Sequence, residues 1–313
     1  MKISIVIPCY RSQNIISNVV DEIENELKNN LSKYEYEIIL INDSSPDGTY
    51  AVIKEISRRN PYVKAIDLAK NFGQHNSIMA GLNRASGDII LCMDDDGQTD
   101  PKQMSKIIDA LDQNTDVVYA KYEENKQNLL RNFGSEINNI MLVMLLGKPK
   151  GLYISSYFVM RKYVKDEIIK YKNPYPYLGG LILRSTHKIK NIIINHKNRK
   201  EGKSGYNFRK LLRLWVNGFT NFSVKPLRIA TVFSIIIAIV SIIVIILLII
   251  NKILNPEVPM GWTSSIMSNL LICSVLSFFL GIIGEYVGRI YISINKLPQY
   301  VIRNDEDEGE DDE

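Results

Sequence analysis

The first 160 residues alternate between short apolar runs and longer stretches in which apolar residues recur every three or four positions. The short runs are rich in β-branched residues and predict strands: "ISIVIP", "YEIILIND", "VKAIDL", "DIILCMD" and "DVVYAKY". The longer stretches predict helices over Asn14–Asn30, Thr49–Arg59, Asn76–Arg84 and Pro101–Asp112. A strand-helix alternation of this kind indicates an α/β fold with a mostly parallel sheet that is covered on both faces.

Polar residues follow each of the first four predicted strands. The segments are "PCYRS", "NDSSPDGT", "AKNFGQ" and "DDDGQ". Parallel strands present their carboxyl ends at one edge of the sheet, where ligands bind in folds of this class. The four segments are therefore predicted to converge on one binding site. A further segment, "YLGGLILRS", is interpreted as a turn, with a role of Gly179 and Gly180 in shaping the entrance to a binding site as the alternative.

Two long apolar stretches occupy the last third of the chain. The stretch from Ile229 to Asn251 has no charged residue and spans roughly 33 Å as a helix, enough to cross a bilayer. A second charge-free stretch, from Val258 to Gly284, also predicts a span, although its serines and Asn269 leave a buried core helix as an alternative. A connector with prolines and a glycine joins the two stretches, so we expect a transmembrane hairpin.

Basic residues flank this hairpin on its outer sides. The connector carries only Lys252, whereas the flanks carry Lys225, Arg228, Arg289, Lys296 and Arg303. This bias places both flanks in the cytoplasm. Upstream, "YNFRKLLRLWVNGFTNFSVK" has aromatic and apolar residues at helical spacing, which predicts a helix on the membrane surface or, as an alternative, an amphipathic helix packed on the folded domain.

The overall charge of +4 conceals a basic body. Eight of the 34 acidic residues lie in the last ten positions, so that 38 Lys and Arg face 26 acidic residues elsewhere. A basic body favours anionic partners, which include phosphorylated substrates, anionic lipid headgroups and nucleic acid. The acidic end is interpreted as a solvated, disordered tail, with a tag or a docking element as the alternative. Cys9, Cys92 and Cys273 lack metal or disulfide spacing and are interpreted as small buried hydrophobic residues.

The three consecutive aspartates in "LCMDDDGQTD" require a compensating cation, because adjacent like charges repel. If the strand continues through them, Asp94, Asp96 and Gln98 point the same way. Carboxylate and amide oxygens suit Mg²⁺ or Mn²⁺, and Mg²⁺ commonly shares its coordination shell with substrate phosphates. A helix cap before Pro101 explains Thr99 or Asp100 but not the accumulated charge.

These motifs, together with "RKEGKSGYNFRKLLRLW", resemble the inverting family 2 glycosyltransferases of the GT-A fold. Within that family the chain is similar to the polyprenyl-phosphate glycosyltransferases, which include dolichyl-phosphate mannose synthase and bacterial undecaprenyl-phosphate sugar transferases. The resemblance extends from Met1 to about Arg303 and implies a Rossmann-like catalytic domain followed by the two-helix hairpin.

The resemblance also implies roles for individual residues. Nucleotide binding falls to Pro8, Tyr10, Asp43, Lys70 and Asp94, and metal binding to Asp94, Asp96 and Gln98. Acceptor and phosphate binding falls to Arg131, Arg199, Lys203, Ser204 and Tyr206, and the catalytic set is Asp94, Asp96 and Arg131. The chain departs from the family in having Arg11-Ser12 after Tyr10 in place of Asn-Glu, and Gly97 in place of a bulky apolar residue.

The implied domains are a cytosolic GT-A catalytic domain at 1–205, an amphipathic membrane-surface helix at 206–226, two transmembrane helices within 227–292 and a cytosolic tail at 293–313. The helices are expected at about 229–251 and 264–286, and both termini in the cytoplasm. The predicted reaction transfers one sugar from a nucleotide-sugar, with UDP-glucose as an example, to undecaprenyl phosphate at the cytoplasmic membrane face with Mg²⁺ or Mn²⁺ as cofactor. Related enzymes form oligomers, which makes a homo-oligomer compatible with the resemblance.

Several other functions share some of these sequence features. A GDP-mannose-dependent polyprenyl-phosphate mannose synthase would share the same motifs. A processive polysaccharide synthase would share the sheet and the aspartates, but the chain lacks a QxxRW-type segment. A non-catalytic nucleotide sensor could dispense with the metal carboxylates, which are all present. A nucleic-acid partner is not predicted, since basic and aromatic residues are interleaved only in the membrane-proximal segment.

Overall fold

The computed structural model describes residues 1–97, 99–122, 143, 148–149, 151–194, 261–295 and 297–305, together with single positions between 232 and 254. The chain divides into two compact units. The first combines Met1–Phe208 with Lys296–Glu313, and the second is Arg209–Asn295. The first unit is therefore built from both ends of the chain.

One mixed sheet of eight strands runs through the described part of the first unit. The strands are β1 (Lys2–Cys9), β2 (Glu35–Asn42), β3 (Val63–Leu68), β4 (Ile89–Cys92), β5 (Val117–Tyr122), β6 (Phe158–Arg161), β7 (Ile189–Ile194) and β8 (Ile302–Asp305). Their order across the sheet is β7-β5-β6-β4-β1-β2-β3-β8. The four strands β4-β1-β2-β3 are mutually parallel, whereas β6 and β8 pair antiparallel with their neighbours. The parallel strands thus bring four carboxyl ends to one edge.

Helices connect and cover these strands. They are α1 (Ile16–Asn30), α2 (Thr49–Arg59), α3 (Gln74–Arg84), α4 (Met104–Asp109), α5 (Lys162–Ile168) and α6 (Leu178–Ser185), with a 3₁₀ turn at Pro101–Gln103 before α4. Helix α1 shows why the sequence pattern succeeds, because Ile16, Val19, Ile23 and Leu27 recur at helical spacing and all are buried. They pack in one core with inward-facing residues of the central strands.

Helix α3 packs unusually close to the sheet at Gly81. A Cβ atom at that position would lie 2.5 Å from Val6 Cγ1 in β1 and 2.8 Å from Ile41 Cδ1 in β2. Glycine is therefore required there for the close approach of the helix. Gln74 lies in the first turn of this helix.

The predicted α/β fold with a mostly parallel sheet is confirmed, and each of the five predicted strands and four predicted helical stretches coincides with an observed element. The interpretation of "YLGGLILRS" as a turn was wrong, since Leu178–Ser185 forms helix α6. Its apolar residues Leu178, Leu181 and Ile182 are buried, and that burial outweighs the low helix propensity of the two glycines, which are also buried.

The second unit contains helix α7 (Trp262–Ile294), which covers the second predicted span. Among the described residues, no helix qualifies as long and apolar enough to cross a membrane. The first predicted span is described only at single positions, all helical, and the predicted surface helix at 206–226 lies outside the described residues. Of the three cysteines, Cys9 and Cys92 are buried as predicted, but Cys273 is exposed, because it lies on α7 rather than in the core of the first unit.

Candidate active site

The loops after β1, β2 and β4 are joined by hydrogen bonds at the carboxyl edge of the sheet. The backbone N–H of Tyr10 donates to Asp95 Oδ2 at 2.9 Å, which connects the β1 loop with the β4 loop. The next amide, that of Arg11, donates to Ser45 Oγ at 2.8 Å and connects the β1 loop with the β2 loop. The backbone of the β1 loop is thus hydrogen-bonded to side chains of the β2 and β4 loops.

The loop after β3 joins the same network through Asp43. Its Oδ1 accepts the N–H of Phe72 at 2.7 Å, and its Oδ2 accepts the N–H of Gly73 at 2.9 Å. At the start of α3, Gln74 Nε2 donates to Asp94 Oδ1 at 2.7 Å. The four polar segments therefore lie together in the structure, as predicted.

Backbone strain is concentrated in two of these loops. Arg11 has φ 60° and Ser44 has φ 50°, and both are in the left-handed region that residues other than glycine seldom adopt. Such conformations cost of order 1–3 kcal/mol and persist where the surroundings impose them, commonly at functional sites. In this chain, the hydrogen bond from the Arg11 N–H to Ser45 Oγ is one of the contacts that hold the β1 loop in this conformation.

The three consecutive aspartates occupy three different environments. Asp94 accepts hydrogen bonds on both oxygens, from Gln74 Nε2 at 2.7 Å and from the hydroxyl of Ser156. Asp95 turns toward the β1 loop to accept the Tyr10 amide, while Asp96 is exposed. The predicted extended backbone does not continue through them: β4 ends at Cys92, and residues 95–97 form a bend with Gly97 at φ 69°. The glycine that departs from the family pattern is therefore the residue that this bend favours.

Electrostatic repulsion is built into this cluster. The pKa of Asp94 is raised to about 6: burial is the largest cause, the nearby charges of Asp96 and Asp95 add to it, and the Ser156 and Gln74 hydrogen bonds oppose it. Burial also raises the pKa of Asp95, although the Tyr10 amide opposes the shift. A cation in this cluster would relieve the cost of holding three carboxylates together.

Gln74 and Ser156 were not predicted as site residues. Gln74 ends the polar "AKNFGQ" segment, so its position after a strand was a usable signal. No comparable sequence signal marked Ser156. It precedes β6, an antiparallel strand that the strand-helix alternation of the sequence does not predict. Both side chains orient the Asp94 carboxylate from outside the β4 loop.

The model of the glycosyl transferase family 2 matches residues 4–169, which is just over half of the chain. The chain belongs to glycosyl transferase family 2. The matched range contains most of β1, the strands β2 to β6 and all four polar loops. It ends before the second unit.

Curated relatives align over nearly the whole of this glycosyltransferase. An uncharacterized glycosyltransferase, YkcC of Bacillus subtilis, is 29% identical over 96% of this chain and 93% of its own. The undecaprenyl-phosphate 4-deoxy-4-formamido-L-arabinose transferases of Proteus mirabilis and Edwardsiella ictaluri are 27% and 29% identical, with the same coverage of 96% and 93%. The similarity to these three proteins therefore extends through the second unit.

Solved structures identify the fold as GT-A. The glucosyl-3-phosphoglycerate synthase of Mycobacterium tuberculosis, crystallised with Mn²⁺ and UDP-glucose, has a TM-score of 0.50 at 16% identity and covers 68% of this chain and 74% of its own. The same enzyme with Mn²⁺, UDP and phosphoglyceric acid also gives a TM-score of 0.50 at 16% identity, covering 69% and 76%.

The predicted nucleotide-binding residues of this glycosyltransferase lie around the joined loops. Pro8 is buried in β1, whereas Tyr10 is 43% exposed at the end of the strand. Asp43 is buried, and burial raises its pKa against the lowering effect of the two amides that it accepts. Lys70 is exposed and places its ammonium group 5.0 Å from the centre of the Phe72 ring.

The remaining predicted site residues lie outside the described residues. They are Gln98, Arg131, Arg199, Lys203, Ser204 and Tyr206. Their roles stay predictions from the resemblance.

The described residues fit a metal that is shared with a substrate. No group of three or more His, Cys, Asp and Glu side chains in the described part of the chain is arranged to hold a metal ion alone. Asp94 and Asp96 nevertheless offer hard oxygen ligands in a cluster of excess negative charge. Mg²⁺ commonly binds one or two carboxylates and completes its coordination with substrate phosphates and water.

His75, beside Gln74 in α3, is not a phosphate-binding cation. Burial lowers the pKa of His75 to about 4, so the imidazole is neutral near pH 7. Its ring packs edge-on against Tyr177, with 5.7 Å between the ring centres.

Proposed function

We propose that this chain is an inverting, metal-dependent glycosyltransferase that moves a single sugar from a nucleotide-sugar to undecaprenyl phosphate at the cytoplasmic face of the membrane. The proposed donor is UDP-linked. The observation that carries the proposal is the joining of four polar strand-end loops around Asp94–Asp96 in a family 2 glycosyltransferase.

The proposed donor site lies along these loops. Asp43 and Tyr10 would contact the nucleoside, and Lys70 would approach the diphosphate. Asp94 and Asp96 would hold Mg²⁺ or Mn²⁺, with Gln98 as a further ligand. When bound, the ion supplies positive charge beside the departing nucleoside diphosphate.

The proposed reaction needs no strong base. A polyprenyl phosphate is already ionised near neutral pH, so one of its oxygens can attack the anomeric carbon directly. That carbon-oxygen bond forms as the bond to the nucleoside diphosphate breaks, and the configuration at the carbon inverts. The protein contributes alignment of the two substrates and stabilisation of negative charge on the leaving group. Arg131, Arg199, Lys203, Ser204 and Tyr206 are the proposed ligands of the acceptor phosphate.

The lipid acceptor is supported by the second unit. Relatives named as undecaprenyl-phosphate transferases align through this region. Helix α7 exposes large apolar side chains, among them Leu276, Phe278 and Leu280, each at least 56% accessible. Exposed apolar surface of this extent commonly marks a contact with membrane or another protein. We propose a membrane protein with two spans, at about 229–251 and 264–286, whose basic flanks lie in the cytoplasm.

Transfer to lipid tests the proposal. Purified protein in detergent would be incubated with undecaprenyl phosphate, Mn²⁺ and one radiolabelled donor at a time, including UDP-glucose, other UDP-sugars and GDP-mannose. We expect label in the lipid phase with a UDP-sugar and its loss with EDTA. Transfer only from GDP-mannose would overturn the UDP assignment, and an unlabelled lipid phase with every donor would overturn the function.

Thiol labelling tests the topology. In a chain whose native cysteines are replaced by alanine, Glu257→Cys in the connector should react with a membrane-impermeant reagent added to whole cells. Glu35→Cys, in the first unit, should react only after lysis. The reverse pattern would contradict the proposed orientation.

A further inference from the structure

The segment 297–305, here called the C-terminal strap, adds the edge strand β8 to the sheet of the first unit. Strand β8 pairs antiparallel with β3, Asp67 opposite Asn304 and Leu68 opposite Ile302. The Ala69 N–H then donates to Val301 O at 2.8 Å, so the pairing continues into the β3 loop. The strap thus contacts the loop that carries Lys70 and the two amides bound by Asp43.

A bulge in β8 directs Arg303 at the end of β3. The register shifts between Asp67 and Leu68, which leaves Arg303 as the extra residue on β8. Bulges of this kind change the direction of a side chain. Arg303 Nη2 donates to Ala69 O at 2.7 Å, and its Nη1 lies 3.6 Å from Asp67 Oδ2.

The contacts of Asp67 continue to the β2 loop. Asp67 is buried, and its other oxygen accepts from Asn42 Nδ2 at 2.7 Å. Asn42 Oδ1 accepts the Ser45 N–H at 3.2 Å. Arg303 therefore contacts the β3 loop directly and the β2 loop through Asp67 and Asn42, and these two loops enclose Asp43.

A second anchor holds the other end of the strap. Gln299 is buried and donates through Nε2 to the carbonyls of Asn173 at 2.9 Å and Tyr171 at 3.3 Å. These bonds secure the strap to the loop after α5, away from Asp43. The strap is thereby fixed on both sides of its pairing with β3.

We propose that the C-terminal strap completes the nucleotide half of the donor site, with Arg303 as a positioning residue for the β2 and β3 loops. The inference rests on the proposed function, because it assigns nucleotide binding to these loops. Arg303 touches neither the nucleotide nor the reacting atoms in this scheme. Its effect is to hold the Ala69–Gly73 backbone, and through it the amides that orient Asp43.

Nucleotide binding by the full chain in detergent tests the inference. Calorimetry with UDP and MnCl₂ would compare the unaltered chain with Arg303→Gln, Arg303→Lys and the control Arg59→Gln, which removes an exposed arginine paired with Glu55 on α2. We expect Arg303→Gln to raise the Kd of UDP and the KM of the donor about five- to tenfold, in keeping with loss of one charge-assisted contact. Arg303→Lys should restore part of the affinity, and Arg59→Gln should change neither constant.

The split between kinetic constants separates positioning from general destabilisation. For Arg303→Gln, kcat and the KM of the lipid acceptor should stay within about twofold of the unaltered chain. An equal rise in the KM of the donor and the KM of the lipid acceptor would overturn the inference. An unchanged Kd for UDP would also overturn it. If Arg303→Gln does not fold, Gln299→Ala, which loosens the other anchor, should raise the Kd of UDP about two- to threefold, and an unchanged value would overturn it. An unaltered chain that binds no nucleoside diphosphate would instead contradict the proposed function.

Discussion

Asp94, Asp95 and Asp96 follow one another in sequence, yet each carboxylate has a different set of contacts. Asp94 is held by Gln74 and Ser156, and Asp95 by the amide of Tyr10. Asp96 is exposed at the bend. The proposed ion is therefore tested at Asp96, the exposed carboxylate of the three.

Asp96→Asn should lower kcat by at least about a hundredfold, since it removes one charged ligand beside the leaving group. The variant should also lose most of the Mn²⁺-dependent increase in UDP affinity, as measured by calorimetry with and without the ion. Asp109→Asn, which changes an exposed carboxylate on α4, is the matched control and should behave like the unaltered chain. Full turnover by Asp96→Asn would remove Asp96 from the proposed metal site.

Gly73 offers a second test at the residue scale. It has φ 87°, its N–H binds Asp43, and a Cβ atom there would meet nothing within 4 Å. Gly73→Ala would thus act through backbone strain, worth about 1–3 kcal/mol, and not through a clash. We expect a higher donor KM and a lower thermal midpoint.

Gly151→Ala separates these two effects. Gly151 has φ 83° and is equally free of neighbours, but it lies in a different loop. The Gly151→Ala substitution should lower the thermal midpoint by an amount similar to that of Gly73→Ala and leave the donor KM unchanged. A parallel rise in the donor KM of both variants would show that the β3 loop has no special role.

At the scale of elements, a buried carboxylate joins β1, β2 and the turn after α3 at the edge opposite the candidate site. Glu37 in β2 accepts from Ser4 Oγ at 2.6 Å, from the Ser86 N–H at 2.7 Å and from Lys2 Nζ at 3.0 Å. Burial alone would raise the pKa of Glu37, but these donors outweigh it and lower the pKa to about 2. The charged form is thus favoured by folding.

The stability contributed by Glu37 should therefore depend on pH. Because its folded pKa lies below the unfolded value of about 4.3, the contribution is complete above that value and is lost as the pH falls toward 2. The full difference is of order 3 kcal/mol. Unfolding midpoints should show Glu37→Gln less stable than the unaltered chain at pH 6, with the gap narrowing between pH 4.5 and pH 2. A gap that stays constant over this range would contradict the assignment, and Glu55→Gln, at an exposed position, should show little gap at any pH.

The elements that sequence reasoning predicted are those whose pattern is local. Strands β1 to β5 are apolar runs, and helices such as α1 place Ile16, Val19 and Ile23 on one face. The same locality explains the predicted convergence of polar loops, which follows from parallel strands alone. Strands β6, β7 and β8 were missed, because they do not continue the regular strand-helix alternation that runs from β1 to β5. Ser156 was missed for the same reason, as it reaches Asp94 only through the β4–β6 pairing.

At the scale of the whole molecule, the first unit is discontinuous. The chain completes seven strands of its sheet, passes through the second unit, and returns to add β8. Sequence reasoning assigned 293–313 to an acidic tail because charge dominates its composition. Composition could not reveal β8, because its hydrogen bonds come from the backbone and its partner strand lies more than 200 positions earlier.

Two C-terminal truncations locate the functional end of the first unit. Deletion of 306–313 removes seven of the eight acidic residues of the terminal ten and leaves β8 in place. Deletion of 302–313 also removes β8, which opens the backbone donors and acceptors of β3 along an unprotected sheet edge. We expect the shorter deletion to leave the thermal midpoint within about 1 °C of the full chain, and the longer one to lower it by several degrees. The longer deletion should also promote aggregation on heating, because an open edge strand pairs readily with another chain. Equal midpoints for the two truncated chains would mean that β8 adds nothing to the stability of the sheet.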